Sequence, residues 1–323
     1  MAVLVTGGAG FIGSVLVEEL LKRDYKVKVI DNLIWGNNLP AEFYKYPSFE
    51  FIKADIRRYS DVSKAVEGVD NIIHLAAIVG DPACKKSPAL SKETNLDASI
   101  HLFEQAKKKG VKRFVFASTC SNYGKMDDPN GFVDEDSALK PVSLYAELKV
   151  KFENHILNSV SSNGVCPVLL RFATAYGISP RMRFDLTVNE FTKELVLDRE
   201  LLVFGQQFWR PYCHVRDLAR ACIYALNADK DKVSHNVFNV GSSQENYQKQ
   251  MIVEEIKKQL PSVNVKYVKK DEDPRDYKVN FTKINKILGF KITKTVPDGI
   301  RQIRRALKQG SFPDPDSPVY KNS

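Results

Sequence analysis

Short apolar runs alternate with amphipathic stretches through the first half of the chain. Residues 2–6, 26–31, 49–53, 71–75, 113–118 and 165–172 each crowd apolar side chains into a few consecutive positions. That is the pattern of strands buried on both faces. Between them the apolar positions recur at helical spacing, which predicts helices at 11–22, 60–66, 89–109 and 145–160. Alternation of this kind calls for a parallel sheet covered on both sides. With right-handed crossovers the result is an α/β, doubly wound, Rossmann-type core. Beyond Gly177 the rhythm changes. Helices are predicted at 183–198, 215–227, 247–260 and 297–308, and strands at 236–240 and 265–268. The expected division is a sheet domain from 1–177 plus 213–240 and a smaller, discontinuous α/β lobe from 178–212 plus 241–310. Residues 311–323 carry so many breakers that they read as an extended tail.

Composition narrows the class without naming a function. The chain has 323 residues, 43% hydrophobic and 27% charged, ordinary for a globular protein with a sizeable core. No apolar run approaches the roughly 18 residues of a membrane span, and the first residues enter a strand without a signal-peptide pattern. Five scattered cysteines, with no CxxC spacing, argue against a disulfide framework or a zinc site and for a reducing cytoplasm. The net charge of +9 comes from dispersed lysines such as Lys107–Lys109, Lys257–Lys258 and Lys269–Lys270. A nucleic-acid binder would cluster them, so a solvated basic surface, with some attraction for a small anion, is the expectation. No metal, nucleic-acid or membrane partner is expected.

The chemistry is carried by a few spaced residues. Gly8-Ala-Gly10-Phe11-Ile12-Gly13 matches G-x-G-x-x-G between a predicted strand and a predicted helix; Gly7, Gly10 and Gly13 read the same tract equally well. Glycines there permit a tight turn and close approach of a pyrophosphate to the helix N-terminus. Asp31 ends the next strand, where a carboxylate bonds the adenosine ribose and repels a 2′-phosphate, favouring NAD over NADP. Asn32 follows it. Asp55 and Ile56, after the third strand, suit an adenine edge; Leu75, Ala76 and Ala77, after the fourth, are small enough for the cofactor to pass close to backbone. Asn95 is expected to fix either a strand end or the active-site backbone. Tyr145 and Lys149 share one helix face at i and i+4. A lysine charge beside the phenol is expected to draw its pKa down toward working pH.

Taken in order, the glycine tract, Asp31, Ser118-Thr119-Cys120 and Tyr145-x-x-x-Lys149 resemble the extended short-chain dehydrogenases/reductases, nucleotide-sugar epimerase/dehydratase branch. The resemblance covers the chain to about residue 308. It implies bound NAD, a small lobe for a nucleoside-diphosphate sugar, and a homodimer built on helices of the Tyr145 type, with Leu148, Phe152, Ile156 and Val160 buried by that contact or by the core. It also implies that Tyr145 is the acid/base at a sugar hydroxyl, that Lys149 binds the nicotinamide ribose, and that Thr119, with Ser118 as its neighbour, bonds the same sugar oxygen. Thr174, Asn189, Arg210 and Arg275 are the implied substrate contacts, the arginines because a planar fork suits phosphate. His214 and Asp217 are expected to be structural. Residues 178–186 resemble GDP-heptose 4-dehydrogenase-like members more than galactose-type epimerases.

Two features bear on the reaction. Sugar-nucleotide 4,6-dehydratases carry Asp-Glu directly after the threonine, whereas Cys120 and Ser121 stand here. Cys120 resembles the base of GDP-fucose synthase-like enzymes, but a buried packing role is the simpler one. The expected activity is therefore reversible hydride transfer at C4 of a nucleotide sugar, giving epimerisation. Net 4-dehydrogenation, 4-keto-sugar reduction, 4,6-dehydration and a catalytically silent NAD sensor or scaffold are the alternatives.

Overall fold

The computed structural model describes every residue except 37, 38, 129, 160–163, 271, 274 and 323; of the apolar helix positions named above, Val160 lies outside the described residues. Twelve strands are present among them: β1 (Ala2–Thr6), β2 (Lys26–Asp31), β3 (Phe49–Lys53), β4 (Asn71–His74), β5 (Arg113–Thr119), β6 (Cys166–Phe172), β7 (Thr174–Tyr176), β8 (Leu201–Phe204), β9 (Trp209–His214), β10 (Asn236–Val240), β11 (Asn246–Gln248) and β12 (Val265–Val268). Seven of them form an all-parallel sheet in the order β10-β6-β5-β4-β1-β2-β3. The direction of winding reverses between β1 and β4, so the carboxyl ends of these two strands open a crevice where ligands bind in such sheets.

Period-two alternation splits the sheet's side chains between two cores. Val3, Val5, Ile73, Val115, Val168 and Leu170 pack with helices Phe11–Leu21 and Val215–Asn227. Leu4, Ile72, Phe114, Phe116 and Leu169 pack with helices Ala98–Lys108 and Leu144–Leu157. Phe152 and Ile156 are buried in this second cluster, and Leu148 is 2% exposed. Both faces of every central strand are thus covered, which is why these strands read as continuous apolar runs.

The remaining strands form a second layer of structure: β11-β9-β7 in one small sheet and the parallel pair β12-β8 in another. Helices Thr187–Val196, Lys249–Lys257 and Val296–Lys308 pack around them through Val188, Leu195, Ile252, Ile256 and Ile300. β7 and β9, at the edges of the expected domain boundaries, pair with each other rather than with the large sheet.

Three expectations need correction. The predicted helix 89–109 is interrupted by a π-helical turn, Glu93–Asp97. The helix expected from 183 begins at Thr187. Residues 181–186 instead form an irregular, bent segment in which charged and apolar residues alternate and Met182 and Phe184 are each 1% exposed, an alternation that does not fit the helical spacing expected there. Finally, residues 311–322 do not trail away from the body: Phe312 and Tyr320 pack edge-on against buried Phe184.

Candidate functional site

The crevice at the switch point continues between the large sheet and the second layer as one cavity of about 580 Å³. Its floor is the turn joining β1 to helix Phe11–Leu21. A Cβ on Gly13 would overlap the Gly7 carbonyl oxygen, and Gly7 itself has φ +73. Only glycine allows this turn. It brings the N-terminus of helix Phe11–Leu21, which has no side-chain cap, to the cavity wall formed by Gly7, Gly10, Phe11, Ile12 and Gly13. Uncapped N–H groups and the helix dipole make that wall attractive to a phosphate.

Asp31 lines the same cavity at the end of β2. Its carboxylate accepts from the backbone N–H of Ala9 at 3.0 Å and of Leu33 at 2.9 Å. Burial raises its pKa, against those two amides and the charge of Arg181. Asp55 behaves differently. Burial works against its charge, yet the Arg57 guanidinium and the Asn32 amide outweigh it and hold the carboxyl down at about 2. The Asn32 amide donates to Asp55 at 2.9 Å, so two sequence-predicted residues form one wall beside Ile56. Leu75, Ala76 and Ala77 complete this end.

At the other end, Ser118, Thr119, Tyr145 and Lys149 line the cavity together. Ser143 caps helix Leu144–Leu157 by accepting from the Ala146 N–H at 3.3 Å, which fixes where the Tyr145 face begins. The Lys149 ammonium donates to the Ala117 carbonyl at 2.8 Å and lies 4.6 Å from the Phe116 ring centroid and 5.9 Å from that of Tyr145. Burial lowers its pKa to about 8, with Cys84 and Glu153 pulling the other way. The expectation for Tyr145 is corrected: burial pushes its phenol well above the ordinary value, Cys84 and Asp81 add to that, and Arg183, not Lys149, is the cation that opposes it. Desolvation outweighs that cation and holds the phenol protonated.

The second layer faces this chemistry with cations. Arg210 pairs with Asp273 at 2.8 Å and lies over the Tyr277 ring at 5.5 Å. Arg275 reaches across to Asp81, at the start of helix Asp81–Lys86, at 2.7 Å. Lys249 joins them on the wall; burial lowers its pKa, Asp273 opposing and Arg210, Lys270 and Arg275 adding to the effect. Thr174 lines the cavity nearby. This arrangement suits a diphosphate.

A sequence model described as the NAD dependent epimerase/dehydratase family matches residues 3–241. The chain belongs to this family. Among its relatives, an uncharacterised UDP-glucose epimerase, YtcB, of Bacillus subtilis is 33% identical over 76% of this chain and 78% of its own. A UDP-glucose 4-epimerase of Lactobacillus helveticus is 29% identical over 90% and 92%. Among solved structures, the UDP-glucuronic acid 4-epimerase of Bacillus cereus, in complex with UDP-glucuronic acid and NAD, superposes with a TM-score of 0.86 at 29% identity, covering 96% of this chain and 99% of that one. The chain is thus an NAD-dependent enzyme of the nucleotide-sugar epimerase type. The uncapped helix end, the glycine cradle and Asp31 fit a dinucleotide; Tyr145 and Lys149 fit its redox end.

Within this epimerase/dehydratase, three sequence-predicted residues stand outside the cavity wall. Cys120 is 1% exposed and its thiol points to the Arg171 carbonyl at 3.2 Å; burial drives its pKa well up. It is a packing residue, not a base. Asn95 accepts from the Ile78 N–H at 2.8 Å and donates to the Ile78 carbonyl at 2.9 Å. It holds the loop after β4 and does not reach the cofactor cavity. Asn189 does the same for Gly177, accepting from its N–H at 2.9 Å, and donates to the Arg183 carbonyl at 2.8 Å. Its side chain is consumed by backbone, so it positions the site from behind.

His214 caps helix Val215–Asn227 by accepting from the Arg216 N–H at 3.2 Å, and Asp217 accepts from the backbone N–H groups of Thr293 and Lys294. Both roles are structural. Sequence reasoning missed Arg181, Arg183, Asp185, Lys249 and Asn322, which all line the cavity. The two-residue alternation from Arg181 to Asp185 was the available signal for three of them. It also passed over the network in which buried Glu153 takes Arg171 at 2.7 Å and Asn122 at 3.0 Å, while Asn122 donates to Ser118 at 3.2 Å.

Proposed function

We propose that the protein catalyses NAD-dependent epimerisation at C4 of a nucleoside-diphosphate sugar, with residues 178–212 and 241–310 forming the sugar-nucleotide lobe. NAD supplies a hydride acceptor and donor, held by the Gly7–Gly13 turn, Asp31 and Lys149. Tyr145 exchanges the proton of the C4 hydroxyl, and Thr119, beside Ser118, orients that oxygen. Burial raises the phenol's pKa, which makes its anion a strong base toward the C4 hydroxyl. Arg210, Arg275 and Lys249 take the diphosphate, near Thr174. Placement of the protein in the cytoplasm as a homodimer is part of the same reading. Among the described residues no helix is long and apolar enough to cross a membrane.

The observation that carries epimerisation over dehydration is the state of the cavity's carboxylates. Asp55 is bound by Arg57, Asp81 by Arg275, Asp185 by Arg183 and Asp273 by Arg210, while Asp31 takes two backbone N–H groups. Burial is outweighed by the arginines, which hold Asp55, Asp185 and Asp273 ionised, and Asp81 and Asp31 are occupied by their partners, a poor state for shuttling protons at C5 and C6. With Cys120 buried away from the cavity, the wall also lacks a thiol at that place.

The test is to incubate the purified protein with NAD and a panel of UDP-, GDP-, CDP- and dTDP-sugars in deuterium oxide, following products by NMR. Interconversion of C4 epimers without deuterium at C3 or C5, and without lasting change in nicotinamide absorbance, is expected. A 6-deoxy-4-keto product would replace epimerisation by dehydration; stoichiometric cofactor reduction would replace it by dehydrogenation.

A further inference from the structure

The stretch 311–322 is fastened along its whole length to the loop that carries Arg181, Arg183 and Asp185. Asp316 pairs with Lys193 at 2.7 Å and with Arg199 at 2.6 Å. Phe312, Tyr320 and Phe184 meet edge-to-face, with centroids 5.1 to 5.6 Å apart. The Phe184 N–H donates to the Tyr320 carbonyl at 2.9 Å. Further on, Arg181 Nη2 donates to the Lys321 carbonyl at 3.0 Å, and the Asn322 N–H donates to Asp185 at 3.2 Å. These contacts deliver Asn322 to the cavity wall. Its side chain is more than nine-tenths buried, at 8% exposure, yet its Oδ1 has no hydrogen-bond partner. A buried acceptor left unmatched is costly, and in a ligand cavity the ligand is the natural source of a donor.

The position of this amide along the cavity follows from its neighbours. Arg181 lies close enough for its charge to act on Asp31, and Arg183 close enough to act on the Tyr145 phenol. Two residues before Arg181, Ser179 donates to the Phe11 carbonyl at 2.7 Å and shares a hydrogen bond with Ser14 at 3.0 Å. The loop is therefore tied to the first turn of the helix whose N-terminus awaits phosphate. An extended dinucleotide running from Asp31 to Tyr145 presents its pyrophosphate and the adjoining ribose there.

We infer that the 311–322 stretch is a clasp for the dinucleotide, in which Asn322 Oδ1 accepts from a hydroxyl of the ribose on the nicotinamide side of the pyrophosphate and Arg181, held by the Lys321 carbonyl, faces the pyrophosphate. This rests on the cavity being the NAD site. It makes Asn322 a cofactor-contact residue supplied from beyond the matched family region, and it couples cofactor retention to the Asp316 anchor.

Calorimetric titration of wild type, Asn322→Ala and Asp316→Lys with NAD, ADP-ribose and adenosine tests it, alongside thermal melts without ligand. Asn322→Ala should weaken NAD and ADP-ribose roughly 3- to 10-fold, the worth of one hydrogen bond, leave adenosine unchanged, and keep the melting temperature of the ligand-free protein within about 1 °C. Asp316→Lys, which loosens the clasp without touching the cavity, should speed NAD release by a similar factor. Unchanged NAD affinity in Asn322→Ala overturns the inference, as does equal weakening of NAD and adenosine. Failure of wild type to bind NAD at all would instead strike the cofactor assignment beneath it.

Discussion

Replacing Lys149 by Met should make the protein more stable and nearly inactive. The ammonium is 3% exposed and its pKa stands at about 8 against an ordinary 10.5. A difference of 2.5 units corresponds to about 3 kcal/mol spent on keeping a buried charge. Against this, Met leaves the Ala117 carbonyl without its donor, at about 1 kcal/mol. The net expectation at pH 7 is a gain of about 2 kcal/mol. The sign with pH follows from proton linkage: between pH 8 and 10.5 the unfolded chain binds the lysine proton more than the folded one does. Wild-type stability therefore rises with pH through that window, and the gap to Lys149→Met closes. Urea unfolding at pH 7 and near pH 10, with turnover measured on the same preparations, reads both effects. If the variant is less stable than wild type at both pH values by the same amount, the lysine is structural, and the argument for its retention at the redox end fails.

Other substitutions separate the parts of the site. Gly13→Ala should abolish detectable NAD binding, since its methyl group would overlap the Gly7 carbonyl and displacement of the turn by even 1 Å can cost about 10²-fold; near-normal affinity in a cofactor titration would refute the cradle. Tyr145→Phe should bind NAD normally but lose about 10²- to 10⁴-fold in turnover, a residual rate within tenfold of wild type being the contrary outcome. Arg210→Ala should raise KM for the nucleotide sugar at least tenfold with a smaller effect on kcat, and it leaves buried Asp273 with only the more distant Arg275 at 3.7 Å, so a stability loss of up to about 3 kcal/mol should accompany it. Burial lifts Glu245 to about 7 despite a hydrogen bond from the Val296 N–H; the folded state then holds a proton that the unfolded chain releases above pH 4.5, and stability contributed by this group falls as pH rises to 7. Melting curves of Glu245→Gln should lack that component.

The large sheet was legible because its strands are buried on both faces and so carry uninterrupted apolar runs, and the cofactor wall because glycine at Gly7 and Gly13 is forced by backbone proximity. Residues that act through tertiary approach were less visible. Asn189 and Asn95 look in sequence like polar residues free to meet a ligand; only the fold shows that Gly177 and Ile78 consume their side chains. The strands β7, β8, β9 and β11 are short, three to six residues, and half exposed in places, which leaves little periodicity to read. The 311–322 stretch was misjudged for the opposite reason: Pro and Asp exclude regular structure, but they do not prevent Phe312 and Tyr320 from docking on Phe184.

Electrostatically the cavity is asymmetric, and the asymmetry bears on direction of proton flow. Arg210, Arg275 and Lys249 lie on the wall formed by the second layer, whereas the phenol end is governed by burial, with Cys84 and Asp81 raising Tyr145 further. A diphosphate arriving at the first wall neutralises cations there without bringing any to Tyr145. The Asp81–Arg275 pair spans from one to the other. If substrate phosphate draws Arg275 away from Asp81, that carboxylate is left facing the phenol with less compensation, and Tyr145 becomes a still weaker acid. A weaker acid hands its proton to the C4 oxygen less readily, so reduction of a 4-keto sugar would then be held back while the diphosphate occupies the other wall. Asp81→Asn removes the coupling: it should decrease leakage of keto product and of reduced cofactor per turnover, and unchanged partitioning would show that the two walls act independently.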